Sequence, residues 1–373
     1  MNKNKFKGLL FALLTVLIIM ALGSCVLNLF TERDREPTGE PDRLGSWGHI
    51  NMDIVRADNW HQIVTDSPFH LGEKTVKGSW QDPSGTTEYY EVKFGTYPSI
   101  DGSTVAVPMA AEFARQHLGF SDEDAMYFAS FNTTHQAYEN LILRQPNYMS
   151  MIRSGITFLD ETHPVDLLIV TEPSDDELAL ARMYGITLVT KPVCYDAFVF
   201  ITHKDNPVTS LTADQIRDIY SGKITNWKDI GGRDEAIAAY QREENSGSQT
   251  AMENLVMQGT PMLPPETVKV ILGMGALVET VAEYKNGEAS IGYTYKFYID
   301  NLYKNDDIKI LDIDGISADD KSIMAELYPF TTRYYGVIRG GEENEAGGLF
   351  LDWMISAEGQ KCIELAGYIP YSR

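Results

Sequence analysis

The sequence predicts an α/β fold with a largely parallel sheet. Three observations carry this. Short apolar or β-rich runs alternate with helical runs along most of the chain. Several of those runs end in a turn rich in hydroxyl residues that leads into a helix, the arrangement in which such folds place their ligands. The 373 residues, 43% hydrophobic and 23% charged, give ordinary globular composition with room for two domains.

The first residues stand apart from this pattern. Lys3, Lys5 and Lys7 precede an almost unbroken apolar run from Leu9 to Leu22, short for a membrane-spanning helix. Leu22-Gly23-Ser24-Cys25 follows. The order of these regions predicts a lipoprotein signal peptide over 1–24, with lipidation at Cys25. A plain signal peptide or an anchor helix is the alternative. Residues 25–43, with Pro37, Gly39 and Pro41, read as a tether. Residues 44–94 hold Trp47, Trp60 and Trp80 without a sustained period, and are expected to pack on the main fold as an N-terminal extension. Within them, Thr86 to Phe94 is β-rich.

Asp101-Gly102-Ser103-Thr104 is a turn that leads into a helical run from Met109 to Leu118. Its hydroxyls near a helix start suit an anion, or simply an Asx or capping turn. Asn132-Thr133-Thr134-His135 repeats the arrangement before a helix bearing Tyr138, Leu141 and Ile142. Val165 to Val170 suits a buried parallel strand. It runs into Glu172, which is a candidate site acid or one solvated acid among several, and then into a helix through Leu178, Ala181 and Met183. Ile186–Thr190 and Tyr195–Thr202 read as two further strands.

In Leu211–Gly232, Thr212 and Gln215 form a capping box, and Ile216, Ile219 and Tyr220 an apolar face. Gly222 stops the helix, and Ile224, Trp227 and Ile230 pack a short second element. Arg242 then precedes Ser246-Gly247-Ser248 and a helical run through Met257. A helix start offers unpaired N–H groups, Gly247 admits close approach, and Arg242 supplies a charged fork. This is an anion cradle or a capped surface helix beside a solvated arginine. Val268–Tyr284 reads as helical, Ala289–Tyr293 and Tyr328–Ile338 as extended, and Leu349–Ala366 as a closing amphipathic helix.

The formal charge of -22 leaves no basic stripe for nucleic acid and no field to draw in an anion from afar. Cys194 and Cys362 read as buried free thiols. No nucleophile–base pair or metal-ligand spacing stands out, so neither an enzyme, a metal nor a cofactor is expected.

Three stretches carry a family resemblance: Leu211–Gly232, Arg242 with Ser246-Gly247-Ser248, and Asp101–Thr104 with Pro108. Asn206-Pro207-Val208, Ile291-Gly292-Tyr293, Tyr328-Pro329 and Gly359-Gln360 with Gly367–Pro370 are lesser signatures. Over about residues 95–373 the chain resembles the phosphate-binding receptors of bacterial phosphate ABC transporters, within the type II periplasmic-binding-protein superfamily. The resemblance implies two lobes, 95–194 with 328–373 and 195–327, joined by a hinge around an interlobe cleft. It implies ligand contacts from Ser103, Thr104, Thr133 and Thr134 on the first lobe, and from Arg242, Ser246, Gly247 and Ser248 on the second. Glu172 falls near the family's aspartate, which accepts the proton that distinguishes phosphate from sulfate. Asn132–His135 departs from the family's Gly/Ser-rich turn, and Ser248 stands for a threonine.

The expected function is therefore a lipid-anchored, monomeric extracytoplasmic receptor that passes phosphate or a related oxyanion to an ABC permease. A receptor for another solute, feeding a transporter or a sensor, is one alternative. A surface interaction lipoprotein is the other.

Overall fold

The computed structural model describes residues 60–82, 85–147, 163–264, 270–271, 273–283 and 289–372. The expected signal peptide, Cys25, the tether and residues 44–59 of the extension lie outside the described residues. Among the described residues no helix is long and apolar enough to cross a membrane.

Leu71–Asp82 (β1) and Gly85–Phe94 (β2) form an antiparallel hairpin whose strands, among the described residues, pair only with each other. β1 was hidden in the sequence because register shifts at Leu71/Lys74 and Val76/Gly78 break the two-residue alternation. The preceding segment packs on the helix Val107–Leu118 (α1). Trp60 Nε1 donates to Glu112 at 3.0 Å, and Gln116 Oε1 accepts from the Ile63 and Val64 amides at 2.8 and 3.1 Å.

Eight strands make the main sheet. They are Ile100–Gly102 (β3), Leu167–Val170 (β4), Leu188–His203 (β5), Ile237–Ala239 (β6), Ala289–Tyr295 (β7), Ile308–Ile310 (β8), Thr331–Arg339 (β9) and Ile369–Pro370 (β10). Their order is β3-β4-β9-β5-β7-β6, with β8 and β10 also paired to β5. The α/β class holds, but the expected parallel majority does not. Only β3–β4 and β7–β6 are parallel, and every other pairing in the sheet is antiparallel.

The reason is β5. The two runs Ile186–Thr190 and Tyr195–Thr202 belong to one strand of 16 residues. Its first part, Leu188–Ala197, pairs with β9, and Phe198–Thr202 pairs with β7. One strand serving both ends of the sheet meets chains that return in the opposite direction. Pro192 is carried through because it sits beside the register shift at Tyr334/Tyr335, where a ladder bond is missing anyway.

Helices flank both ends. Asp122–Phe128 (α2), Thr134–Ile142 (α3) and Asp175–Met183 (α4) follow α1, and α3 and α4 bury Tyr138, Leu141 and Ala181 against Leu168, Val170 and Val337. Ala213–Tyr220 (α5) has both bonds of the expected capping box, Gln215 N to Thr212 Oγ1 at 3.1 Å and Thr212 N to Gln215 Oε1 at 2.8 Å. Gly222 ends it at φ +80°, and Trp227 is buried with its indole N–H on the Ala289 carbonyl at 2.7 Å. Gly247–Ala251 (α6) continues into a wider turn, Met252–Met257.

Two other expectations are corrected. Val270–Ile271 is a strand on Gln241–Arg242, and the helix Met274–Ala282 (α7) starts only after Gly273, at φ +82°. Leu349–Ala366 is two helices, Ala346–Met354 (α9) and Ala357–Leu365 (α10), after the short Asp320–Met324 (α8). Ser356 Oγ accepts from the Gly359 amide at 3.2 Å, starting α10 afresh. Cys194 and Cys362 are buried and free.

Candidate functional site

Three hydroxyl-bearing turns open helices at the β3–β4 end of the sheet. The first is braced by a buried acid. Asp101 Oδ1 accepts from the Gly102 and Asn132 amides at 2.8 and 3.0 Å, and Oδ2 from the Asn132 and Asn140 side chains at 2.8 and 2.9 Å. Burial pushes its carboxyl up, and these bonds pull it back. One carboxylate thus ties Gly102-Ser103-Thr104 to the turn around Asn132. Gly102 is required here, since a Cβ would lie 2.3 Å from the Ile169 carbonyl. Ser103, buried, donates its amide to that carbonyl at 3.0 Å. Thr104 opens a single 3-10 turn ahead of α1.

In the second turn, Thr133 is exposed and caps α3, accepting from the Gln136 amide at 3.4 Å. Thr134 is buried. His135 Nδ1 lies 3.0 Å from the buried Glu177, whose carboxylate also accepts from the Ser174 amide at 2.7 Å. His135 therefore braces two helix starts against each other. In the third turn, Thr171 is buried and Glu172 exposed. Glu172 accepts from the Tyr335 hydroxyl at 3.1 Å.

The other end of the sheet supplies α6. Ser246 caps it, accepting from the Gln249 amide at 3.2 Å, and Ser248 is buried. Gly247 sits directly against the first end. A Cβ there would lie 2.6 Å from Thr171 Oγ1 and 2.8 Å from Thr134 Oγ1. The Tyr295 hydroxyl, from β7, holds the Gly247 carbonyl at 2.9 Å. Beside this contact Asn245, at φ +59°, donates its side-chain amide to Asp176 on α4 at 3.0 Å.

Of the expected residues, the structure thus brings Thr134 and Gly247 together, with Ser246 and Ser248 on the same helix start. Glu172 is turned to Tyr335. Arg242 is buried, and its fork is partly engaged, with Nη1 buried and without a hydrogen-bond partner among the described residues. Nε and Nη2 reach Glu243 at 3.0 and 2.7 Å, and Nε also donates to the Ile271 carbonyl at 3.1 Å. It lines a cavity of about 620 Å³ with Glu243, Gln249, Glu253 and Met257, whose lining includes none of Ser103, Thr134 or Glu172. Sequence reasoning missed Thr171, the brace at Asp101 and the hydroxyl of Tyr295. Thr171 had a visible signal, a hydroxyl at the last position before the strand-end acid. The other two depend on neighbours distant in the chain.

The description "PBP superfamily domain" fits residues 154–358, more than half of the chain. The phosphate-binding protein PstS of Bacillus subtilis is 28% identical over 195 residues, covering 49% of this chain and 58% of that protein. That of Borreliella burgdorferi is 26% identical over 180 residues, 47% of this chain and 63% of its own. The chain thus spans about three fifths of the length of these relatives. A candidate phosphate ABC transporter substrate-binding protein from Clostridium perfringens, solved with bound phosphate, superposes with a TM-score of 0.54 at 24% identity, over 74% of this chain and 99% of that one. A phosphate-binding protein from Stenotrophomonas maltophilia superposes with a TM-score of 0.50 at 15% identity, over 74% and 91%. These superpositions agree in fold with the mixed sheet and its flanking helices, and the chain belongs to the PBP superfamily.

Proposed function

We propose that this chain is an extracytoplasmic solute receptor, not an enzyme, which captures phosphate or a related oxyanion between the two ends of its sheet for an ABC importer. The observation that carries the reading is the approach of Gly247, at the start of α6, to the Thr134 and Thr171 hydroxyls. A helix start presents N–H groups and a positive dipole end, and hydroxyls supply further donors. Ser103, Thr104, Thr133, Ser246 and Ser248 complete the donor set, with Glu172 and Arg242 as the charged members once Tyr335 and Glu243 release them. The lobes are 95–194 with 328–373 and 195–327, with the β5 crossover as hinge. After cleavage of a signal peptide over 1–24, lipid on Cys25 would hold the protein, as a monomer, beside its permease. The relatives named for phosphate binding support the ligand class. Calorimetric titration of the full chain with phosphate tests it, and no heat at millimolar phosphate overturns it.

One observation favours a second reading. Glu243 already answers the Arg242 charge, so a neutral or zwitterionic solute suits this pocket better than a dianion does. Mass spectrometry of the solute that co-purifies with the protein separates the two.

A further inference from the structure

Where β5 passes from β9 to β7, a second cavity of about 230 Å³ opens. Asp196 lines it and is 3% exposed. Its Oδ1 accepts from the Ala197 and Phe297 amides at 2.7 and 3.1 Å, while Oδ2 is buried with no hydrogen-bond partner among the described residues. A buried carboxylate oxygen without a donor is costly, and Asp196 as a residue lines a cavity through which a donor from outside can approach.

The surroundings say which donor. Lys296 also lines the cavity, but its ammonium is held by Asp300 and faces Asp320 at 3.7 Å. Asn301 donates from its NH2 group to the Phe297 carbonyl at 3.2 Å, and its carbonyl oxygen lies 4.0 Å from the position of a Cβ on Gly367, another wall residue. Phe297 and Tyr368 stack at 3.7 Å and 10°, forming an aromatic wall. Acceptors and aromatic surface around one deep carboxylate suit an ammonium group on a small carbon skeleton. Among the described residues no cluster of three His, Cys, Asp or Glu could hold a metal ion.

We propose that the cavity at the β5 crossover is a binding site for a small organic cation with a primary ammonium group, and that Asp196 is its counter-ion. The site shares no residue with the contact around Gly247. Its walls come from both ends of the sheet, Tyr195 and Asp196 from β5, Lys296 after β7, and Tyr368 beside β10.

Binding is pH-dependent through Asp196, whose carboxyl burial pushes up to about 7. The other groups around it are Cys194 on the same strand, Tyr334 on β9, Tyr295 on β7, Lys296 and Asp300 beyond β7, Asp320 on α8, and Glu364 and Tyr368 near the C-terminus. Burial raises the thiol and the three phenols further still, so they stay neutral as Asp196 titrates.

Calorimetric titration of the full chain with methylammonium chloride at pH 8, with potassium chloride at equal ionic strength for comparison, is the test. The expected result is saturable methylammonium binding that weakens by about tenfold or more in Asp196→Asn. In the wild type it weakens roughly tenfold per pH unit below the Asp196 midpoint. The asparagine keeps an acceptor for the Ala197 and Phe297 amides. If that variant does not fold, Asn301→Ser, which removes the amide carbonyl, must weaken binding instead. No saturable binding, an unchanged affinity in both variants, a flat pH series or equally tight potassium binding overturns the proposal.

Discussion

Asp101 and Asp196 are both buried aspartates on strands of the same sheet, and they are finished differently. Asp101 has four N–H donors on its two oxygens, from Gly102, Asn132 and Asn140. Asp196 has two donors, both on one oxygen, and the other is buried with none among the described residues, in a residue that lines a cavity. Burial raises both carboxyls, so burial alone does not tell them apart. What differs is where the missing water is replaced. At Asp101 the protein replaces it completely, and the acid becomes a brace for two hydroxyl turns. At Asp196 it replaces half, and the second oxygen is left buried without a donor among the described residues.

The largest test of this contrast is Asp101→Ala. Four buried hydrogen bonds at about 1–1.5 kcal/mol each put the loss near 5 kcal/mol. Urea denaturation measures it, and a loss below about 1 kcal/mol would show that water takes over the brace. Asp196 carries the opposite expectation. Its folded midpoint lies above its unfolded one, so the folded state holds the proton more tightly. Stability from this group is therefore greatest below about pH 4 and falls as pH rises to about 7, where it levels off. At about 1.4 kcal/mol per pH unit the decline reaches up to about 4 kcal/mol. Asp196→Asn removes it, so above pH 7 the variant should be the more stable protein. A urea midpoint that follows the same pH curve in both proteins would refute this.

Neither role was legible in the sequence, and the reason is physical. Asp101 stood in a recognised turn, but its partners Asn132 and Asn140 come from a later turn and helix. Asp196 sat inside an apolar strand with nothing beside it to mark a cavity. Features closed within a few residues were legible: the Thr212–Gln215 capping box, the Gly222 stop and the hydroxyl turns before α1, α3 and α6. Features closed by distant chain were not. The direction of strand pairing was set by β5 serving both ends of the sheet. Arg242 looked like a free cationic fork until folding fixed the Glu243 carboxylate on its Nε and Nη2.

Gly247 sharpens the contrast at the contact between the two ends. Gly247→Ala places a methyl 2.6 and 2.8 Å from two threonine oxygens, so the ends must part by a few tenths of an ångström. Phosphate affinity should fall about tenfold or more while the urea midpoint moves little, because the helix itself favours alanine by about 1 kcal/mol. Thr134→Ser in the same background keeps the hydroxyl and adds room, and should recover part of the affinity.

The smallest expected effect is at Asn245 and Asp176, which bond across the same contact at 3.0 Å in an exposed setting. An exposed bond of this kind contributes about 1 kcal/mol or less. Asn245 stands at φ +59°, a conformation that asparagine tolerates and alanine resists, so Asn245→Ala would mix strain with loss of the bond. Asn245→Gly keeps the backbone at ease and removes only the side chain. Combined with Asp176→Ala in a double-mutant cycle, it isolates the bond itself. If the bond helps to hold the ends together, phosphate should leave each single variant and the double variant at the same raised rate, about threefold to fivefold above the parent. Additive effects in stopped-flow release would instead mean that the two side chains act on the solute or the solvent independently, and that Gly247 with its two threonines is sufficient to hold the contact.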